Sequence, residues 1–340
     1  MNTALILATA VNAVAPVVLL ILLGYLLRQS GFFGEEFVKT GNRLVFNICL
    51  PCMLFINVYN IDGFSAVNWP FVLYCAAVIL VVFTLGFFTA VLVTKRPERR
   101  GVIWQCTFRS NFAIIGLSLA GALGGAEAEA AAAIVSSFTV PLFNILSVVA
   151  LSVFAKEGEK RNDFGKILKN IAKNPLIISV ALGLLCLCIR ELQRAALGGA
   201  VFTLKDDCRF LYTAVNNLKA VASPFALLVL GGQFTFSAVR GLFKEIAAGT
   251  LWRILLAPLI GIGGAALLSS LGTLSCGVNE YPALIAMFGS PVAVSSAVMA
   301  SSMGADEQLA TQLVVWTSLF SVITVFAEVC ILMGAGLLPM

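Results

Sequence analysis

Long apolar runs separated by short polar segments form the dominant pattern of this chain. A helix that crosses a membrane needs about 20 apolar residues, and runs of about that length recur along the sequence. They predict ten spanning helices, at 11–27, 44–59, 69–94, 102–123, 130–155, 175–189, 211–236, 246–271, 281–303 and 309–338. Hydrophobic residues make up 60% of the chain and charged residues only 11%, whereas charged residues make up about a quarter of soluble proteins. The pattern therefore predicts an all-α polytopic membrane protein.

The longest hydrophilic stretch, 156–174, lies at the middle of the sequence and separates five predicted spans from five. Because five is an odd number, a duplicated second half must be inserted upside down relative to the first. Secondary transporters are commonly built from such inverted repeats. The sequence predicts a 5+5 inverted repeat, with residues 1–155 and 175–340 as its halves and 156–174 as a cytoplasmic linker.

Polar and proline residues recur at matching places in the two halves, in the same order, which favours a duplication. The matches pair Asn12 and Arg28 with Asn174 and Arg190, Pro51 with Pro224, Ser110 with Ser290, and Thr139 with Thr317.

The basic residues predict the orientation. The formal charge of +5 arises from clusters beside the spans, so these residues serve to orient the chain in a bilayer rather than to bind nucleic acid. The first apolar run lacks the basic segment and cleavage site of a secretory signal and is read as a retained span. With the N-terminus outside, 15 of the 22 Lys and Arg residues lie on the cytoplasmic side. We therefore expect a multi-pass protein of the plasma (cytoplasmic) membrane with both termini outside. In this arrangement the outer side receives Arg190, Arg194, Lys205, Arg209 and Lys219.

The fourth predicted span carries three adjacent polar residues, Arg109, Ser110 and Asn111. Arginine in hydrocarbon costs roughly 2.5 kcal/mol or more, so the triplet should face a cavity, a partner helix or a bound solute. Arg109 could alternatively extend back to the cytoplasmic interface. Asn111 is too short for that, and its amide can donate to a carboxylate and accept from an acid proton.

The ninth predicted span contains Gly289, Ser290 and Pro291, followed by Ser295. Proline lacks a backbone donor and clashes with the preceding turn, so this helix should bend or unwind near 287–291. Paired interrupted spans in matching halves indicate a transporter's site, with half-helix N-termini facing an anion. The alternative is a kink that serves helix packing alone.

The other polar residues within spans are more ambiguous. Asn47 and Asn144 are candidate ligands, with hydrogen bonds between helices as the alternative. Glu328 lies about 28 Å along its predicted helix, which places it near the outer interface in solvent. Cys49 and Cys52 flank a proline in an apolar run that has no histidine nearby, and packing is preferred there over metal or redox chemistry. No metal or cofactor is predicted.

Three stretches resemble the auxin efflux carrier family, which includes the plant PIN carriers and bacterial permeases for malate and similar acids. They are Leu50–Pro51, the run RSNFAIIGLSLAGALGG, and the tail beginning SPVAVSSAVMASSMGADEQ. The resemblance implies ten helices in a 5+5 inverted repeat whose fourth and ninth helices break and cross near the substrate. It further implies a scaffold of helices 1, 2, 6 and 7, often forming a homodimer, and a transport part of helices 3 to 5 and 8 to 10.

In the family's pattern, Asn111 corresponds to the substrate-binding asparagine and Pro291 to the crossover proline. Plant members have proline where this chain has Ser110, which makes a break in the fourth helix less certain than one in the ninth. The chain also lacks their long cytoplasmic loop, as a bacterial member would.

These observations predict a secondary transporter of small organic anions, mono- or dicarboxylates, that works by alternating access and is not an enzyme. The alternatives are a cation or proton antiporter, or an ion channel, on a similar fold. An intramembrane enzyme built on Ser118 would lack a histidine base. The candidate substrate-binding residues are Arg109, Ser110, Asn111, Ser290, Pro291, Ser295, Asn47 and Asn144.

Overall fold

The computed structural model describes residues 3–61, 68–154, 173–199 and 201–338, and the side chains in these ranges other than those of residues 3–14, 114 and 118. This part of the chain is helical and contains no strand, only one isolated bridge. Its helices are α1 (Thr3–Gln29), α2 (Glu35–Tyr59), α3 (Trp69–Val93), α4 (Pro97–Phe108), α5 (112–124), α6 (126–153), α7 (Pro175–Leu197), α8 (Arg209–Gln233), α9 (Ala238–Ser270), α10 (280–289), α11 (Ser295–Ser302) and α12 (Glu307–Gly334).

Within the described residues, seven helices are long and apolar enough to cross a membrane. They are α2, α3, the stretch Leu119–Val153, α7, α8, α9 and α12, and the described side chains of α1 add a shorter apolar stretch, Ala15–Gln29. Their outer faces carry large apolar side chains such as Leu92, which is 82% exposed. The prediction of an all-α, multi-pass membrane protein is confirmed at this level.

Several observed helices are longer than the apolar runs that predicted them. The second predicted span begins at 44, but α2 begins at Glu35, because its first ten residues form an amphipathic helical segment that continues into the apolar part. The predicted linker 156–174 lies outside the described residues except for Lys173 and Asn174. Asn174 caps α7 by accepting a hydrogen bond from the Leu176 amide, at 2.9 Å.

Charge counting assigned Lys219 to the outer side, although the predicted span 211–236 contains it, and the structure agrees with the span. Lys219 lies within α8, ten residues after its first residue, about 15 Å along the helix. A single lysine interrupts the apolar pattern without ending the helix, because lysine is a good helix former.

Helices α1 and α8 approach closely at two glycines. A β-carbon at Gly24 would clash with the backbone of Leu228, and one at Gly231 would clash with the backbone of Ile21. Small residues permit such contacts between membrane helices. Helices α2 and α7 pack beside this pair, so α1, α2, α7 and α8 form one group.

A sharp turn at Gly125 separates α5 from α6. Its φ of 75° and ψ of −167° lie in a region that only glycine adopts readily. The turn lies where the sequence predicts a loop between the fourth and fifth spans.

Gly125→Ala should destabilise the protein by about 1–3 kcal/mol through backbone strain alone, because no atom lies within 4 Å of the added carbon. Gly34→Ala is the matched control, since Gly34 has equal space and an ordinary φ of −67°. The melting temperature in detergent micelles should fall for Gly125→Ala and not for Gly34→Ala. Equal melting temperatures for the two variants would contradict the strain.

Candidate functional site

Two helical runs are interrupted at the same depth. Helix α4 ends at Phe108 and α5 begins at Phe112, while α10 ends at Gly289 and α11 begins at Ser295. A π-helical turn borders each break, Phe112–Gly116 after the first and Ile285–Gly289 before the second. Such turns are frequent at functional sites.

The two breaks have different local causes. In the second, Ser290 precedes Pro291 and is extended, with ψ of 148°, as expected for a residue before proline. The first break contains no proline. It is held instead by pairing with the other chain segment, in which the Asn111 amide donates to the Pro291 carbonyl at 2.8 Å and the Ala293 amide to the Arg109 carbonyl at 3.4 Å.

Ser110 and Val292 thus form an isolated antiparallel bridge at the crossing. The Val292 amide donates to the Thr317 hydroxyl at 3.1 Å. These contacts satisfy backbone groups that could not be left unpaired at membrane depth.

Arg253 of α9 holds the crossing from one side and was not among the candidates. Its side chain is only 1% exposed. The guanidinium donates to four backbone carbonyls at the ends of α4 and α10, those of Phe108 (3.3 Å), Met287 (2.9 Å), Phe288 (2.7 Å) and Ser290 (2.9 Å). A positive charge is thereby placed at the negative ends of both half-helices. The signal in the sequence was an arginine inside an apolar span.

The structure corrects the position predicted for Glu328. Its carboxylate lies directly against Gly289, the last residue of α10, and interacts electrostatically with Arg253. Both carboxylate oxygens are buried and have no hydrogen-bond partner. The prediction of an interfacial, solvated Glu328 was wrong, because distance along one helix does not reveal which neighbours cover the side chain.

Arg109 is buried at the first break, with partners different from those of Arg253. It is 3% exposed and donates to the Asn144 Oδ1 and Ser295 Oγ, each at 2.7 Å, and to the Met299 Sδ at 2.6 Å. It therefore points into the protein and does not extend to the interface. All three partners are uncharged, so a buried cation lies here without a carboxylate partner among the described residues.

A small cavity of about 30 Å³ adjoins Arg109. Two buried polar atoms in its wall, the Asn111 Nδ2 and Ser110 Oγ, have no hydrogen-bond partner. Asn111 immediately precedes α5, and Ser295 is the first residue of α11. The positive N-terminal ends of two half-helices therefore adjoin the same cavity. Unpaired donors, two helix N-termini and a cation together form an environment suited to an anion.

The eight predicted site residues thus fall into three groups. Pro291 and Ser290 contribute backbone carbonyls to the crossing and do not line the cavity. Asn47 stands apart, because it is exposed on α2 and its Nδ2 donates to the Arg43 carbonyl one turn earlier, at 2.9 Å. The structure brings five together around the cavity, Arg109, Ser110, Asn111, Asn144 and Ser295.

A larger cavity of about 390 Å³ shares Met53 and Ala113 with the small one. It lies between α2 and α8 on one side and α5 and α6 on the other, and it reaches Asn60 at the end of α2. Among the described residues no cluster of three or more metal-ligating side chains exists in this region or elsewhere.

A multi-pass helical protein with two interrupted helices that meet at a buried polar cavity has the construction of a membrane transporter. A family model described as "Membrane transport protein" matches residues 9–327. The chain belongs to this family, which is the auxin efflux carrier family, and the resemblance predicted from the sequence is confirmed.

Two archaeal proteins are similar over nearly the whole chain. A protein of Methanothermobacter thermautotrophicus described as an uncharacterized transporter is 22% identical over 317 residues, which cover 92% of this chain and 95% of that protein. Another uncharacterized transporter, from Methanocaldococcus jannaschii, is 23% identical over 321 residues, which cover 92% and 96%.

Proposed function

We propose that this membrane transport protein moves small organic anions, mono- or dicarboxylates, as a secondary transporter. The observation that carries the proposal is Arg109, a buried guanidinium whose partners are all neutral. An uncompensated buried charge is costly, and a bound carboxylate would supply the missing countercharge. The unpaired Asn111 amide is placed to donate to the same carboxylate.

The proposed membrane arrangement is ten spans in a 5+5 inverted repeat, with α4 and α5 together as the fourth span and α10 and α11 as the ninth. The order of elements supports it, since each half has three helices, an interrupted helix and a final helix. Thr139 and Thr317, matched in sequence, are both buried and donate to the carbonyl four residues earlier. In this proposal both termini lie on the outer, non-cytoplasmic side of the plasma membrane.

Alternating access would then occur between two groups of helices. Helices α1, α2, α7 and α8 would form a scaffold, and a homodimer would form through the scaffold surface. The remaining helices, which include the crossing of the two interrupted helices, would move relative to this scaffold. The larger cavity lies between α2 and α8 of the scaffold and α5 and α6 of the moving part, where such a movement opens and closes a path.

Uptake of radiolabelled acids into proteoliposomes tests the proposal. Malate, succinate, lactate and indole-3-acetate sample the two charge classes. Asn111→Ala should lower kcat/KM for the transported acid about tenfold or more, because a hydrogen bond to a charged group contributes about 1.5–3 kcal/mol. Asn47→Ala is the matched control and should leave uptake unchanged. Absence of uptake of every acid would reject the function, and wild-type uptake by Asn111→Ala would reject the site.

A second candidate, proton or cation antiport, is favoured by one observation, the buried Glu328 carboxylate against Gly289. Antiporters commonly use carboxylates within the membrane. A pH-sensitive dye inside the same proteoliposomes distinguishes the two. Cation-driven proton flux without any organic solute would favour the antiporter.

A further inference from the structure

We propose that Lys219 is a second anion-binding group, and that the preferred substrates therefore carry two separated negative charges, as dicarboxylates do. The inference rests on the proposed function and narrows it. Lys219 lines the larger cavity, whereas Arg109 and Asn111 line the small one.

Lys219 lies where a lysine has no structural purpose as a membrane anchor. It lies about 15 Å along α8 from Arg209, inside a helix that is long and apolar enough to cross a membrane. An ionisable residue at this depth is costly and normally faces a partner or a water-filled cavity. The structure has it line the cavity of about 390 Å³.

The chemistry of that cavity leaves the ammonium group without a countercharge. Its other polar wall residues are neutral: Asn57, Asn60, Ser136, Ser137 and Ser223. Lys219 makes no hydrogen bond or ion pair with any residue in the described part of the chain. Among the described residues, the cavity wall thus contains a cation and no carboxylate.

The sizes of the two cavities indicate that one ligand would occupy both of them. About 30 Å³ at Arg109 has room for only about two water-sized groups, which matches one carboxylate and excludes the rest of an organic acid. The remainder must extend past Met53 and Ala113, the shared wall, into the larger cavity that contains Lys219. A second carboxylate on that end would pair with the lysine, while a monocarboxylate would leave the lysine unpaired.

Succinate and butyrate test this, because they have the same number of carbons and differ by one carboxylate. Wild-type protein in proteoliposomes should show at least tenfold higher kcat/KM for succinate. Lys219→Met should lower succinate uptake at least tenfold and leave butyrate uptake within about twofold. Lys219→Arg should retain the preference, and Arg209→Met, at the exposed start of the same helix, should not change it.

The outcomes separate this inference from the proposed function. Equal uptake of the two acids by wild-type protein, a result that needs no variant, would overturn the role of Lys219. So would an equal fall for both acids in Lys219→Met. In either case, lower uptake of both acids by Asn111→Ala would still support the proposed anion site at Arg109. If wild-type protein moves neither acid nor any other tested, both proposals fail.

Discussion

Arg109→Met is expected to lower kcat/KM for the transported acid at least about 30-fold. Removing one partner of a buried, hydrogen-bonded charge pair costs about 2–5 kcal/mol, and 2 kcal/mol corresponds to about 30-fold. The loss should appear for every acid that is transported, because the guanidinium would meet the carboxylate common to all of them. Uptake kinetics in proteoliposomes at matched protein density measure it.

Two further variants make this result specific. Arg109→Lys keeps the positive charge, but its single nitrogen cannot make all three contacts of the guanidinium, with Asn144, Ser295 and Met299. Uptake by Arg109→Lys should therefore lie between that of the wild type and that of Arg109→Met. Arg43→Met removes an exposed arginine of α2 and should change nothing. Because no carboxylate among the described residues pairs with Arg109, its removal should lower the melting temperature much less than Arg253→Met does. A large fall in melting temperature with unchanged substrate affinity would show a structural role instead.

Arg253→Met is expected to destabilise the protein by about 3–5 kcal/mol, as removal of one partner from a buried charge network does. Four carbonyls at the ends of α4 and α10 would lose their donor, and Glu328 would lose the cation beside it. The melting temperature in detergent micelles should fall markedly. Transport should also be lost, since the crossing that shapes the Arg109 cavity is held by these bonds.

The carboxylate provides the internal test. Glu328→Gln in the Arg253→Met background should recover part of the lost stability, because the uncompensated buried charge is removed. Arg240→Met, an exposed arginine at the start of the same helix, is the control. If Arg253→Met melts at the wild-type temperature, or if Glu328→Gln lowers the stability of Arg253→Met further, then Arg253 does not balance the charge of Glu328 as proposed.

Much of the architecture could be read from the sequence. Apolar runs of membrane length predicted the helices, because backbone groups in lipid must be paired within the protein and a helix pairs nearly all of its own. Pro291, directly after Gly289 and Ser290, predicted the break in the second half, since a proline in a helix interior removes a backbone hydrogen bond and clashes with the preceding turn. The family was also recognisable, from the stretches around Asn111 and Pro291.

The break at 109–111, unlike the one at Pro291, could not be predicted from the local sequence. No residue there forbids a helix, and Ser110 in place of proline argued against a break. The helix ends because the Asn111 amide finds the Pro291 carbonyl on another segment. A local pattern cannot contain that information.

What the sequence determined by itself is therefore the set of helices, their polar interruptions and the family, all of which follow from local composition. Only the tertiary structure decided which polar groups meet. It placed Arg253 against four distant carbonyls, buried Glu328 beside Gly289, left Asn47 outside the site and put Lys219 in a cavity wall. The reason is physical: the cost of a charge within a membrane depends on its neighbours in space, and those neighbours come from other parts of the chain.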